Sequence, residues 1–240
     1  WMIAEKKIDV SKSVSDSGAK LIHFFISGAS SGLGLSLYSA LSKKNFLITV
    51  LGRCAPINLR GKDIFLFVDL SSETKFKYKI NRNVSKVIFL SNAGMIDPVE
   101  SAEKIDINLL KSNHNVNFLS PFLIASELVR ATKQRKVNLH IVNISSGAAS
   151  RAIARWSSYC SSKAAIKIAL DCIAAESNHV TVEHIDPGVL DTNMQQKIRS
   201  SEKKNYPNHQ YFTNLHQKKL LKKPETVAAK IVNQIEKYLI

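Results

Sequence analysis

The feature that most constrains the fold is Ile26-Ser-Gly-Ala-Ser-Ser-Gly-Leu-Gly34. It joins an apolar run, Leu21 to Ile26, to an amphipathic segment, Leu33 to Leu41. That order describes a strand, a glycine-rich turn and a helix start. Glycines at 28, 32 and 34 let the backbone turn sharply and bring bare N–H groups against a ligand. The following helix N-terminus, with its partial positive charge, suits a pyrophosphate. Ser30, Ser31 and Leu33 complete this candidate phosphate loop. The spacing is Gly-x-x-x-Gly-x-Gly, not the commoner Gly-x-Gly-x-x-Gly. A loop with chance glycines is the plain alternative, and residues further along decide against it.

Further apolar, β-branched runs lie at Phe46–Leu51, Ile64–Val68, Lys86–Leu90, Val137–Ile144 and Val180–Ile185. Helical patterns fall around Leu33–Lys43, Ser72–Ile80, Ile105–Thr132 (broken within) and Ser157–Ser177. A last helix, Glu225–Tyr238, follows Pro224, a common residue at a helix start. Strands that are apolar throughout are buried on both faces, and alternation with helices implies a parallel sheet. The expected fold is α/β, a Rossmann-type doubly wound parallel sheet in three layers (α/β/α). Its strand order would be 3-2-1-4-5-6, with ligand at the carboxyl ends of the strands.

Length allows one such domain and is short for two: the chain has 240 residues. Residues 1–20, polar and mixed in charge, read as a loose extension; its first residue is Trp1, so part of it need not belong to the natural start. Residues 21–240 read as the single domain. Met194 to Lys223 is the one long irregular stretch, expected to be a substrate lid.

No stretch approaches the ~18 apolar residues of a membrane span, and the N-terminus lacks the apolar centre of a signal peptide. No membrane partner is expected. Cys54, Cys160 and Cys172 are odd in number and lack metal-ligand spacing, which suggests a reduced, cytoplasmic protein without a metal. Cys160 and Cys172 read as small buried hydrophobes. His23, His140, His179 and His184 sit in or beside strands and read as structural.

The formal charge of +15 calls for an explanation. Basic residues crowd the tail, at Lys197, Arg199, Lys203, Lys204, Lys218, Lys219, Lys222 and Lys223. A nucleic-acid or membrane patch competes here with a lysine-rich solvated face on a protein that holds an anionic cofactor. Neither a recognition helix nor interleaved aromatics accompanies the charges, so no nucleic acid is expected.

Tyr159 and Lys163 lie at i and i+4 on the start of a helix, so both side chains share a face. An ammonium beside a phenol favours the phenolate and lowers the tyrosine pKa. Such a tyrosine can exchange a proton with a carbonyl or alcohol near neutral pH. An ordinary interfacial tyrosine beside a surface lysine is the bland alternative. Context separates the two. Ser146 ends the fifth strand, Asn92-Ala93-Gly94 ends the fourth, and Pro187-Gly188 follows the sixth, all at strand carboxyl ends.

In this order the residues resemble the classical type of short-chain dehydrogenase/reductase: glycine turn, Asn-Ala-Gly, Ser, Tyr-x-x-x-Lys and Pro-Gly. The resemblance narrows further. Ser145-Ser-Gly-Ala-Ala149, Trp156-Ser-Ser-Tyr-Cys-Ser-Ser-Lys163 and Pro187-Gly-Val-Leu-Asp-Thr-Asn-Met-Gln195 are similar to the sepiapterin reductase branch. Its bacterial benzil-reductase-like members are the nearest in kind, and Ile198-Arg-Ser-Ser-Glu-Lys-Lys204 fits them too. One departure stands out: after the last helix neither the usual seventh strand nor the C-terminal acid that anchors a pterin is evident before Ile240. That points away from a pterin substrate.

The resemblance implies an NADPH-dependent carbonyl reductase acting on a ketone or diketone. Tyr159 is then the general acid, Ser146 polarises the carbonyl oxygen, and Lys163 lowers the tyrosine pKa and holds the cofactor ribose. An asparagine links Lys163 to solvent through water; Asn117 fits the family's Asn-x-x-x-x-Phe better than Asn113 or Asn115, which read as cap or surface residues. Asp69 and Leu70 resemble the adenine-contacting pair, although Asp69 can instead cap the next helix. Pro187, Gly188 and Val189 would line the cofactor, and Thr192 would grip the nicotinamide amide. Trp156, Met194 and Gln195 would line the substrate pocket, with core or lid packing as the alternative for them. The family's usual homodimer packs the helices after strands four and five, where Ala164, Ala165, Ile168, Ala169 and Cys172 allow close approach.

Cofactor choice also follows from charge. NAD sites of this architecture place Asp or Glu about 20 residues beyond the glycine turn. After Gly34 this chain has no acid until Asp63, and Arg53 stands where the second strand ends. A guanidinium there can pair with a 2′-phosphate, so NADP is expected ahead of NAD. A surface loop arginine is the alternative. Rival functions are a non-catalytic NADP sensor and a nucleic-acid binder on the same fold.

Overall fold

Phe24, Phe25 and Ile26 have no exposed surface, which puts β1 (Leu21–Ser27) in the middle of the sheet. The computed structural model describes residues 20–72, 76–200 and 208–239. Among these, β1 pairs in parallel with β2 (Leu47–Gly52) on one side and β4 (Val84–Ser91) on the other. β3 (Ile64–Phe67) extends the first edge; β5 (Asn138–Ile144) and β6 (Val180–Ile185) extend the second. The order is the expected 3-2-1-4-5-6, and every pairing is parallel.

Helices cover both faces. α1 (Gly32–Ser42) packs Leu33, Leu37 and Leu41 on one face, beside Phe24, Ile26 and Ile88. α2 (Ile107–His114) runs through a π-helical turn, Asn115–Leu119, into α3 (Ser120–Arg135). α3 and α4 (Ser157–Glu176) bury Ile124, Leu128, Ile166 and Leu170 on the opposite face, with Phe25, Phe89 and Ile141. α5 (Asn193–Ser200) and α6 (His209–Gln217) follow β6, and α7 (Pro224–Glu236) returns to lie beside α1. Among the described residues no helix is long and apolar enough to cross a membrane.

Several expectations need correction. The expected helix at Ser72–Ile80 is absent over 76–80, while 73–75 lie outside the described residues. Phe76, Tyr78 and Ile80 turn inward while Lys77 and Lys79 face solvent, so the apolar period is 2 and the chain is extended. Phe76 and Tyr78 then meet the Phe25 ring edge-on at 6.3 and 4.8 Å. The break expected within Ile105–Thr132 is the π turn, through which α2 runs into α3 without a non-helical residue between them. Met194 to Lys223 is not irregular, because α5 and α6 occupy much of it; 201–207, with Lys203 and Lys204, lie outside the described residues. α5 buries Gln195 and Ile198, whose spacing of three is helical, and a stretch this short hid that period.

Cys172 is exposed on the outer side of α4 and Cys160 half-buried, so neither is a core residue. The extension at 1–19 lies outside the described residues. After α7 the described chain forms no further strand. Tyr238 instead stacks on His140 at 4.0 Å, and its carbonyl accepts from Lys86.

Candidate active site

The glycine turn is built by close backbone approach. Gly28 has φ +70° and its N–H donates to the Leu51 carbonyl at 2.9 Å, pinning the turn to β2. Gly34, in the first turn of α1, lies so near Gly28 that an added methyl would overlap the Gly28 carbonyl oxygen and come 2.5 Å from Asn92 Nδ2. Gly34→Ala should therefore distort the turn and weaken cofactor binding at least tenfold, with a lower Tm, since overpacking costs roughly 1–3 kcal/mol. Unchanged nucleotide affinity by calorimetry would show that the turn has room to spare.

Asn92 locks this corner. Its Nδ2 donates to the carbonyls of Ser27 (3.1 Å) and Gly28 (2.8 Å). Ser27 Oγ accepts from Asn92 N at 3.0 Å and from Ala93 N at 3.2 Å. The sequence reading missed Ser27, which looks there like one more strand residue. The first N–H groups of α1 have no side-chain cap, and no acidic residue occupies its first turn. Unsatisfied donors at a helix N-terminus beside a cleft suit an anion. Thr192 closes the cradle, with Cγ2 only 3.2 Å from a methyl built on Gly32.

That cleft, of about 1050 Å³, runs along the carboxyl ends of the strands. Its lining includes the phosphate loop, Arg53, Asp69, Leu70, Asn92 to Gly94, Ser146, Trp156, Tyr159, Lys163, Pro187 to Val189, Thr192, Met194 and Gln195. Arg53 is exposed just beyond β2, across from Asp69, and its positive charge helps to hold the Asp69 carboxyl below its ordinary range. The main cause is Ser71, whose hydroxyl and N–H donate to Asp69 Oδ1 at 2.7 and 3.0 Å. Asp69 thus closes a turn after β3. Gln195 is buried, and its Oε1 accepts from Arg199 at 3.2 Å.

Tyr159 and Lys163 share the inner face of α4, both buried. The Ser146 hydroxyl neighbours the Tyr159 phenol, and Lys163 Nζ donates to the Ile144 carbonyl at 2.9 Å, 6.0 Å from the centre of the Tyr159 ring. Here the expected electrostatics fail. Burial pushes Tyr159 up to about 12; the neighbouring Ser146 hydroxyl works against this, and the Asp186 carboxylate adds to it. Burial also pulls Lys163 down to about 8. Desolvation is the largest cause for both groups, and helical spacing could not reveal it.

Asn117 sits in the π turn with every side-chain atom engaged. Oδ1 accepts from Met95 N at 2.8 Å, and Nδ2 donates to Met95 O (2.7 Å), Asn113 Oδ1 (3.0 Å) and Ser162 Oγ (3.1 Å). Asn113 is fully buried and donates to the carbonyls of Met95 and Asp97, so it is no cap or surface residue. Asn115 is half-buried and donates to the Ser71 carbonyl. The i, i+4 spacing of Asn113 and Asn117 was the available signal. On the far side Trp156 meets Tyr159 edge-on at 5.8 Å and stacks on Phe212 at 6.1 Å, with Ile96, Ile198 and Met194 packed alongside.

The model of the family described as short chain dehydrogenase matches residues 23–203. The chain belongs to the short-chain dehydrogenase family. It is 31% identical over 233 residues to benzil reductase ((S)-benzoin forming) of Bacillus cereus, covering 89% of this chain and 94% of that one. It is 28% identical to sepiapterin reductase of Bos taurus over 55% of this chain and 54% of the relative. Among solved structures, the KRED1-Pglu enzyme matches with a TM-score of 0.73 at 26% identity, covering 88% of this chain and 93% of that one. Two more distant folds are a 4-hydroxyisoleucine dehydrogenase complexed with NADH (TM-score 0.72, 20% identity, 90% and 91% covered) and a 2-deoxy-d-gluconate 3-dehydrogenase homologue with bound NADP (0.71, 18%, 90% and 89%). As a short-chain dehydrogenase of the benzil and sepiapterin reductase branch, the protein is an oxidoreductase of alcohol and carbonyl groups.

Proposed function

We propose that this short-chain dehydrogenase is an NADPH-dependent carbonyl reductase for ketones or diketones flanked by an apolar, flat group. The observation that carries the reading is the buried Tyr159 beside Ser146 and Lys163, lining one cleft with the uncapped α1 N-terminus. The residues present fit a nicotinamide dinucleotide: uncapped N–H groups for the pyrophosphate, Arg53 for a 2′-phosphate, Asp69 and Leu70 for the adenine end, and Val189 and Thr192 for the nicotinamide end. When bound, that group supplies hydride to the carbonyl carbon. Tyr159 holds a proton on its hydroxyl, kept there by burial, and gives it to the carbonyl oxygen that Ser146 helps to orient. Asn117 and Asn113 hold the Met95 backbone, which fixes the loop against the π turn beside Lys163.

Charge favours NADPH, since an exposed guanidinium stands where an NAD enzyme places an acid. Arg53→Ala should weaken NADPH by about tenfold to a hundredfold, as charge-assisted hydrogen bonds contribute roughly 1.5–3 kcal/mol. NADH binding should barely change. Equal losses for both cofactors would place the phosphate elsewhere. The reading as a whole is tested by following NADPH oxidation with benzil. The exposed Ile107, Leu109, Leu119, Leu123 and Ile168 on α2, α3, α4 and the π turn are the apolar surface available to the expected homodimer.

A further inference from the structure

Arg151 is the cation in the cleft that the mechanism leaves unused. It follows Ser146 on the loop into α4 and lines the cleft. Among the described residues its guanidinium has no ion pair within 4.0 Å and no hydrogen bond. Its neighbours are engaged: Arg155 with Glu100 at 3.3 Å, Lys197 with Asp97 at 2.5 Å, Arg199 with Asp191 at 3.5 Å. A methyl built on Gly147 would lie 3.6 Å from both Nε and Nη2 of Arg151. One edge of the guanidinium therefore lies against the residue next to Ser146. The Asp186 carboxylate shares that point: its Oδ2 lies 3.5 Å from the same methyl, while its Oδ1 accepts from the Gly188 N–H at 2.9 Å, and it makes no ion pair with Arg151 within 4.0 Å. One wall of the cleft is aromatic: Trp156 stacks on Phe212, and Tyr211 meets Phe212 edge-on.

A guanidinium without an ion pair in a cleft can take a carboxylate with two parallel bonds. Ser146 and Gly147 are adjacent, so a carbonyl held at Ser146 places its neighbouring carbon toward Arg151. We propose that Arg151 binds a substrate carboxylate, and that the site accepts aromatic 2-oxo acids of the arylglyoxylate kind. This rests on the carbonyl-reductase reading. The carbonyl carbon gains a hydride from the nicotinamide, which is oxidised, and the carbonyl π pair takes the Tyr159 proton. The product is a 2-hydroxy acid, and Arg151 stays protonated throughout.

Phenylglyoxylate and its methyl ester share ring and ketone and differ in charge, so they isolate this contact. The ratio of kcat/KM for acid over ester should fall by about tenfold to a hundredfold in Arg151→Gln, chiefly through the KM of the acid. Arg151→Lys should restore part of it, as a point charge without the fork. Calorimetry in the presence of NADP+ should show the wild type binding acid more tightly than ester, with that preference lost in Arg151→Gln. An acid that binds no better than its ester, or a ratio that Arg151→Gln leaves unchanged, overturns the proposal. If neither ketone is reduced while the binding preference holds, the reductase reading falls and the carboxylate site stands.

Discussion

Tyr159→Phe is expected to lower kcat by about 10²–10⁴-fold, the usual contribution of a positioned general acid, with NADPH affinity nearly unchanged. The ring packs edge-on against Trp156 at 5.8 Å, and phenylalanine keeps that contact. The phosphate loop lies at the other end of the cleft and does not feel the change. Loss of the hydroxyl removes the proton held there by burial. Because that hydroxyl sits near 12, the wild type should keep a protonated donor throughout the neutral range, so kcat should show no fall from Tyr159 ionisation below pH 9 in the protein as described. Single-turnover measurements with NADPH and benzil give both numbers. Turnover close to wild type would remove Tyr159 from the mechanism.

Lys163→Met should remove most activity and yet stabilise the folded protein at neutral pH. The ammonium is buried, and burial brings its pKa from 10.5 to about 8. Below pH 8 both folded and unfolded chains carry the proton, so folding bears the full cost of burying the charge. Between about 8 and 10.5 the unfolded chain binds more protons, so stability rises with pH, and above 10.5 the penalty is gone. At 1.36 kcal/mol per pKa unit the penalty is on the order of 3 kcal/mol. The variant loses the bond to the Ile144 carbonyl, about 1 kcal/mol. The net gain is expected to raise Tm at pH 7 by several degrees, at roughly 2–4 °C per kcal/mol for a chain of this size. The advantage should shrink between pH 8 and 10. Tyr159 is present in both proteins and cancels in the difference. A variant melting below wild type at pH 7 would mean that the hydrogen bond outweighs the desolvation.

These two residues also mark what could be read in advance. Tyr159 and Lys163 were recognisable because i, i+4 spacing on a helix is a local property, and because Ser146, Asn92 and Pro187 punctuate strand ends in the same order. The direction of their proton affinities was not recognisable. It depends on how much water the cleft excludes, and only the packing of Trp156, Ile198 and Phe212 over α4 sets that. Asn113 shows the same division: its helical position was legible, its burial against Met95 and Asp97 was not.

The sequence by itself determined the parallel α/β fold, the strand order, the glycine turn and the family resemblance. Each depends on short-range features: apolar runs, a period of 3.6, glycines where the chain must approach itself. The extended path of Phe76 to Ile80 followed from burial on Phe25, which outweighed the expected helix. α5 and α6 take their form where Ile198 and Phe212 meet the Trp156 wall. Arg151 comes beside Gly147 only through the loop that carries it into the cleft. Contacts between residues distant in the chain, and the water they exclude, exist only once the sheet is assembled, so the tertiary structure alone decided them.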